Sequence, residues 1–331
     1  MKMILLLFNT IFLILFYLNS KRLSLALGLY KKTNKTPIVG GLGIYLFFLI
    51  QLSYLLLFGE KLDLHDILII VVISLIFFIG IIDDIINLNY KIRLSSIFII
   101  LIIFLNLENS FLIKYLYFET LNLTFFIGNA SYIITPLFII LFLNSMNMAD
   151  GINGNSGTIF LTYFIIFYIM GNENIESLLL ILIPIIIFLI FNMNNKLYLG
   201  DSGIYLLSTM ISFYIIKEYN FDSKEFSCEK IFLVLMVPGI DMFRLFCVRI
   251  FNKKNPFKGD LNHLHHLLVN KFNISKSLII TILIIIWPNI FYKIFIIDIK
   301  ILIITNLLIY VLLLTYLTKL KNFSNYLKNN K

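Results

Sequence analysis

The chain has 331 residues, 60% of them hydrophobic and only 14% charged, with a mean hydropathy of +0.94. Soluble domains run about 45–50% apolar and about 25% charged, so this composition excludes a soluble protein, and 33 Phe with long Ile/Leu runs exclude a disordered one. A net charge of +9 points to Lys and Arg against anionic lipid and not to nucleic acid, while two cysteines, Cys228 and Cys247, exclude a disulfide scaffold.

One spanning helix needs roughly 20 apolar residues. Apolar runs between polar breaks predict an all-α polytopic membrane protein of about eleven such helices, in a single domain over 1–331. The first runs from Met3 to Ser20. It is longer than the apolar part of a signal peptide, and no small-residue cleavage site follows it. A thin basic stretch, Tyr30 to Pro37, leads to the second, Gly40 to Phe58. The third, Ile67 to Ile82, ends on Asp83 and Asp84. Two adjacent carboxylates at the edge of a low-dielectric slab repel, and a hard divalent cation would relieve them. Lys91 and Arg93 follow on the same loop, placed for anionic groups.

The fourth span is Leu94 to Leu107 and the fifth Tyr132 to Met146. Asn144, Asn147, Asp150 and Asn153 then recur every three residues, which predicts one polar face on a helix leaving the membrane. Gly151 and Gly154 let the backbone turn and approach a ligand. Side-chain amides there suit a nucleobase or a sugar. The sixth and seventh spans, Gly157 to Gly171 and Ser177 to Phe191, lead to Leu199-Gly200-Asp201-Ser202-Gly203 at the start of the eighth, Gly203 to Ile216. Asp201 reads either as a helix N-cap or as a metal ligand near free backbone N–H groups.

The ninth span, Ile231 to Val248, holds Asp241 and Arg244 three residues apart, an ion pair inside the bundle. After it come Asp260 and three histidines within four positions, His263, His265 and His266. Such a cluster raises zinc, but neither Cys nor Glu accompanies it. Beside Lys253, Lys254 and Lys258 the histidines suit phosphate better. The last two spans are Ser277 to Tyr292 and Ile301 to Leu320.

Orientation follows from Lys and Arg asymmetry. The loops after the odd-numbered spans, with the C-terminus, carry 18 basic residues. The opposite side carries 8, and Arg244 lies within a span. The N-terminus is therefore expected outside and the C-terminus in the cytoplasm. Of eighteen acidic residues, twelve fall on or near the outer loops. The other six, Asp83, Asp84, Asp150, Asp201, Asp241 and Asp260, gather at the cytoplasmic face.

Together these motifs resemble the polyprenyl-phosphate N-acetylhexosamine-1-phosphate transferase family. The matching patterns are DDxxxLxxKxRL at Asp83 to Leu94, NxxNxxDGxNG at Asn144 to Gly154, LGDSG at Leu199 to Gly203, and HxHH at His263 to His266. The resemblance implies Mg²⁺-dependent transfer, with Mn²⁺ as an alternative ion, of GlcNAc-1-phosphate or a related sugar phosphate. The donor would be a UDP-N-acetylhexosamine, the acceptor undecaprenyl phosphate, and the released product UMP. Such a reaction would initiate a lipid-linked cell-envelope glycan at the bacterial inner membrane. By the same likeness Asp83, Asp84 and Asp150 serve the chemistry, and Asp201 with Asp84 the metal. Lys91, Arg93, Asn144, Asn147, Gly151, Asn153, His263, His265 and His266 would bind substrates. The stretch from Tyr30 to Pro37 carries no His, so no role transfers to it. The alternatives are the sister transferase of phospho-N-acetylmuramoyl-pentapeptide and, from another class, a membrane transporter. A homodimer is left open.

Overall fold

The computed structural model describes residues 2–31, 33, 35–57, 61–171, 175–223, 226–256 and 260–329. In chain order the helices are α1 (Lys2–Leu18), α2 (Ser20–Leu27), α3 (Gly40–Leu57), α4 (Leu64–Ile86), α5 (Tyr90–Leu107), α6 (Ser131–Ala149) and α7 (Asn155–Gly171). They continue with α8 (Ile175–Met193), α9 (Gly200–Phe221), α10 (Cys228–Phe251), α11 (Leu264–Lys271), α12 (Ile274–Phe295) and α13 (Ile299–Asn329).

Each of the eleven apolar runs falls on a helix. Among the described residues seven helices are long and apolar enough to cross a membrane, and α1 with α2, bent by 69°, makes an eighth. The chain is a multi-pass membrane protein. Helices α7 and α8 present only short apolar stretches. Helix α9 interleaves Ser202, Ser208, Thr209 and Ser212 among its apolar residues, and all four are fully buried. Packing of α9 against α3, α4, α6 and α7 buries these hydroxyls.

The close packing around α9 depends on small side chains, as in other membrane bundles. A Cβ on Gly80 of α4 would lie 2.4 Å from the Ser202 Cα, and one on Gly41 of α3 would lie 2.3 Å from the Gly203 backbone nitrogen. Backbone cannot move aside as a side-chain tip can. Gly80→Ala is therefore expected to destabilise the folded protein by about 1–3 kcal/mol. Thermal unfolding in detergent measures it, and an unchanged midpoint would contradict the packing.

Three features were not expected: the short helices α2 and α11, and a hairpin. The loop after α5 forms a hairpin, β1 (Tyr115–Phe118) against β2 (Leu123–Phe126), antiparallel with Tyr115 opposite Phe126 and Phe118 opposite Leu123. The alternating stretch is short, and it is held by partners on α9, α10 and α12 that are remote in sequence.

Candidate active site

The last turn of α4 delivers Asp83 and Asp84 in different directions. Asp83 is buried at 3% exposure. Its carboxylate accepts from Arg93 Nη1 at 3.0 Å, the Tyr205 hydroxyl at 3.1 Å and the Leu88 backbone N–H at 2.7 Å. Asp84 reaches across to the N-terminus of α9, where the Asp201 N–H donates to it at 2.8 Å. The Ser202 N–H and hydroxyl donate at 3.1 and 2.7 Å. The first N–H groups of a helix lack partners within it. Here a carboxylate from a neighbouring helix supplies them and complements the helix dipole. Gly200, at φ +79°, makes room, because a Cβ there would lie 2.7 Å from Asp84 Oδ2.

This arrangement bears on the N-cap reading of Asp201. The residue at the N-cap position is Leu199, and it makes no side-chain cap. Asp84 does the capping instead, so Asp201 in the first turn is not needed for it. Asp201 lies within electrostatic reach of Asp84, Asp83 and Arg93. Its carboxyl is in hydrogen-bond contact with that of Asp83. Three carboxylates therefore share one guanidinium.

The same geometry bears on a metal. Among the described residues no three His, Cys, Asp or Glu side chains converge into a ready-made cage. Mg²⁺ is commonly held by one or two carboxylates plus substrate phosphates and water. Asp201 fits that requirement, with Asp84 contributing only the lone pairs its capping bonds leave.

The second motif is a turn rather than a continued helix. Helix α6 ends at Ala149, so Asn144 and Asn147 are helical, Asp150 follows as the C-cap, and Asn153 lies beyond it. The predicted single polar face stops there. Its turn is fastened to α8: the Gly154 N–H donates to Asn192 Oδ1 at 2.6 Å, and the Asn153 amide bonds the Asn195 side chain. Asn144 points its amide at Met242 Sδ, 3.4 Å away on α10. The Ser156 hydroxyl donates to Asp150. Desolvation pushes the Asp150 carboxyl up to about 6, against the pull of Ser156 and of the positive charge of Lys31.

Lys31 is the residue that sequence reading left without a role. Its segment pairs with the strand-like run before α9, through the Tyr198 N–H to Pro37 O at 2.8 Å and the Gly40 N–H to Tyr198 O at 2.9 Å. The Lys31 ammonium lies 5.1 Å from the centre of the Tyr198 ring. One lysine is thus tied both to the approach to Asp201 and to Asp150. Basic residues ahead of a glycine pair were the only signal. The sign of its effect is definite: a nearby cation lowers a carboxyl pKa, so removing it raises that pKa. Lys31→Ala should shift the acid limb of the pH–rate profile, expected near pH 6 where Asp150 ionises, to higher pH. Asp150→Asn should remove the Lys31-sensitive part of that limb, and a limb unmoved by Lys31→Ala would remove this coupling.

The histidines divide. Asp241 accepts from His263 Nδ1, Arg244 Nη2 and the Tyr310 hydroxyl, each at 2.8 Å, and from the Leu264 N–H at 3.2 Å. The expected Asp241–Arg244 ion pair is present, and it also holds the start of α11. Arg249 bonds Asp260 at 3.0 Å and approaches His263 Nε2 at 3.4 Å. Of the three histidines expected at substrate, His263 is committed to the protein itself, with both ring nitrogens engaged and 4% exposure. His265 is different. Its buried Nε2 has no hydrogen-bond partner, and a Cβ on Gly151 would lie 2.1 Å from it and 2.6 Å from His266 Nε2. The glycine turn and the histidine loop therefore meet face to face. Burial, with the neighbouring His266 and His263, holds His265 down to about 3, so it is a neutral donor or acceptor at pH 7. Lys91 is exposed, and Lys258 lies outside the described residues.

Beneath this polar end runs an apolar groove of about 620 Å³ between α6, α9 and α10. Ser145, Met242 and Phe243 line it next to Asn144. At the other end it reaches Leu116 and Cys228.

Comparison with known proteins places these motifs. Residues 67–218 match the sequence model of glycosyl transferase family 4, which takes in the first three motifs. The chain is similar to the phospho-N-acetylmuramoyl-pentapeptide-transferase of Petrotoga mobilis, 31% identical over 53% of this chain and 58% of that protein. It is also similar to the undecaprenyl-phosphate alpha-N-acetylglucosaminyl 1-phosphate transferases of Salmonella typhi and Escherichia coli O157:H7. These are 22% and 23% identical, over 83% of this chain and 77% of each relative.

Proposed function

We propose that this glycosyl transferase family 4 protein transfers an N-acetylhexosamine-1-phosphate, GlcNAc-1-phosphate by preference, from a UDP-sugar to undecaprenyl phosphate, with release of UMP. The observation that carries this reading is one polar end built on an apolar groove. The groove ends at Ser145 and Met242 beside Asn144, and Ser145 also lines the small pocket that holds Asp241, His263 and His265. A long prenyl chain needs such a groove, and its phosphate needs such an end. The two longer alignments, to transferases that act on undecaprenyl phosphate by name, support the same acceptor.

The residues divide the work. Arg93, braced by Asp83, and Lys91 offset the negative charge of two anionic reactants. Gly151 gives a sugar or diphosphate close access to His265 and His266, and Asn144 and Asn147 offer amides. Phosphomonoesters have a second pKa of about 6, so the acceptor is already largely ionised near neutral pH and Asp83 positions more than it deprotonates. Asp150 and Ser156 keep the turn in shape beside the donor. Mg²⁺, held by Asp201 with Asp84, would supply charge neutralisation at the diphosphate.

The test is transfer of radiolabelled sugar phosphate to undecaprenyl phosphate by purified protein. UDP-GlcNAc is expected to serve as donor and UDP-N-acetylmuramoyl-pentapeptide not to. The reverse preference would establish the second reading, which the 31% identity to the Petrotoga protein favours. The asymmetry of 18 against 8 Lys and Arg residues supports a reading in which this end lies at the cytoplasmic face of the inner membrane. A cysteine at the exposed Lys254 should then resist impermeant thiol reagents in intact cells, and ready labelling would reverse the topology.

A further inference from the structure

The groove follows α10 from Cys228 to Phe243, roughly 22 Å of helix at about 1.5 Å per residue. Its far end meets Ile113 and Leu116, where β1 lies against α10 and Tyr219. That wall is held rigidly. Glu229 accepts the Glu119 and Thr120 N–H groups at 3.0 Å each and the Thr120 hydroxyl at 2.8 Å. Glu119 in turn accepts from the Tyr292 hydroxyl at 3.0 Å and Ser227 at 3.1 Å, and pairs with Lys230 at 3.4 Å. The Tyr219 hydroxyl accepts from the Tyr117 N–H at 2.7 Å and donates to Tyr115 O at 3.0 Å. Three helices thus grip a hairpin of eight strand residues through a satisfied polar network, which rigidifies what it joins.

A lipid tail entering the groove leaves one apolar phase for another, so transfer itself gains little and packing decides. Interior packing tolerates added bulk poorly. A fixed obstacle at the end of the groove therefore discriminates by length. We propose that the hairpin is the end wall of the acceptor groove and gauges the polyprenyl chain, with Leu116 as the residue the chain reaches. The proposal rests on the acceptor reading above. Short chains would stop before the wall, and long ones would pack against it.

The experiment compares geranyl, farnesyl and undecaprenyl phosphates as acceptors for full-length wild type, Leu116→Trp, Leu116→Phe and Glu229→Gln. Leu116→Trp should raise KM for undecaprenyl phosphate about tenfold, the scale of a sterically crowded apolar pocket, and leave KM and kcat for geranyl phosphate unchanged. Leu116→Phe should do the same to a smaller extent and guards against a misfolded Trp variant. Glu229→Gln, which weakens the grip on the hairpin, should narrow the difference between acceptor lengths. Equal shifts for all three acceptors, or none for undecaprenyl phosphate, would overturn the gauge. Wild type that uses no prenyl phosphate would instead overturn the acceptor reading itself and the gauge with it.

Discussion

Asp201→Asn should lower turnover by about 10²–10³-fold, the scale lost with one electrostatic stabiliser of a transferring group, while the protein becomes no less stable. The two halves of this result have the same origin. Asp201 shares its surroundings with Asp83 and Asp84 and only one guanidinium, so removing its charge relieves repulsion in the resting protein. It does not cap α9, because Asp84 accepts the Asp201 and Ser202 N–H groups. Asp84→Ala should behave in the opposite way for stability, losing about 1–2 kcal/mol as an N-cap does when truncated. Turnover measured across a Mg²⁺ titration, beside thermal unfolding of both variants, separates the roles. Near-wild-type turnover of Asp201→Asn with an unchanged Mg²⁺ midpoint would remove Asp201 from the metal.

Gly239→Leu should raise KM for undecaprenyl phosphate by about tenfold or more, the scale expected of added bulk in an apolar pocket, with KM for the UDP-sugar unchanged. Gly239 lies on α10 along the groove, and a Cβ built on it meets nothing within 4 Å. The new side chain therefore occupies groove space without disturbing the fold. It also replaces a poor helix former with a good one, worth about 1 kcal/mol in a helix interior. The variant should melt no lower than wild type, so lost acceptor binding cannot be mistaken for unfolding. Steady-state kinetics with each substrate varied in turn decides it. An unchanged acceptor KM would place the prenyl chain elsewhere.

Much of the architecture is legible without coordinates because lipid leaves the backbone few choices. A spanning segment must satisfy its own N–H and C=O groups, so each apolar run from Met3 to Leu320 becomes a helix. The aspartates could be located by the same logic, since charge is placed at helix ends and not at mid-span. Their division of labour could not. Asp84 and Asp201 look alike as letters, each an acid beside a helix end, whereas Asp241 lies within α10. Only packing of α4 against α9 turns Asp84 into the cap of another helix, and only α11 and α13 meeting α10 add three further donors to the Arg244 that Asp241 finds on its own helix.

The order and nature of the helices, the multi-pass membrane class and the four polar motifs were determined by the sequence itself, through periods and charges that act over a few residues. Lys31 beside Asp150, Gly151 against His265 and the hairpin fastened to Glu229 were decided by the tertiary structure alone. The last joins residues more than a hundred positions apart. Hydrogen bonds and steric contacts act over a few ångströms whatever the chain separation, so no local pattern records them. The fold brings them together by packing small residues at Gly41, Gly80 and Gly203, which let α3, α4 and α9 approach until their polar ends touch.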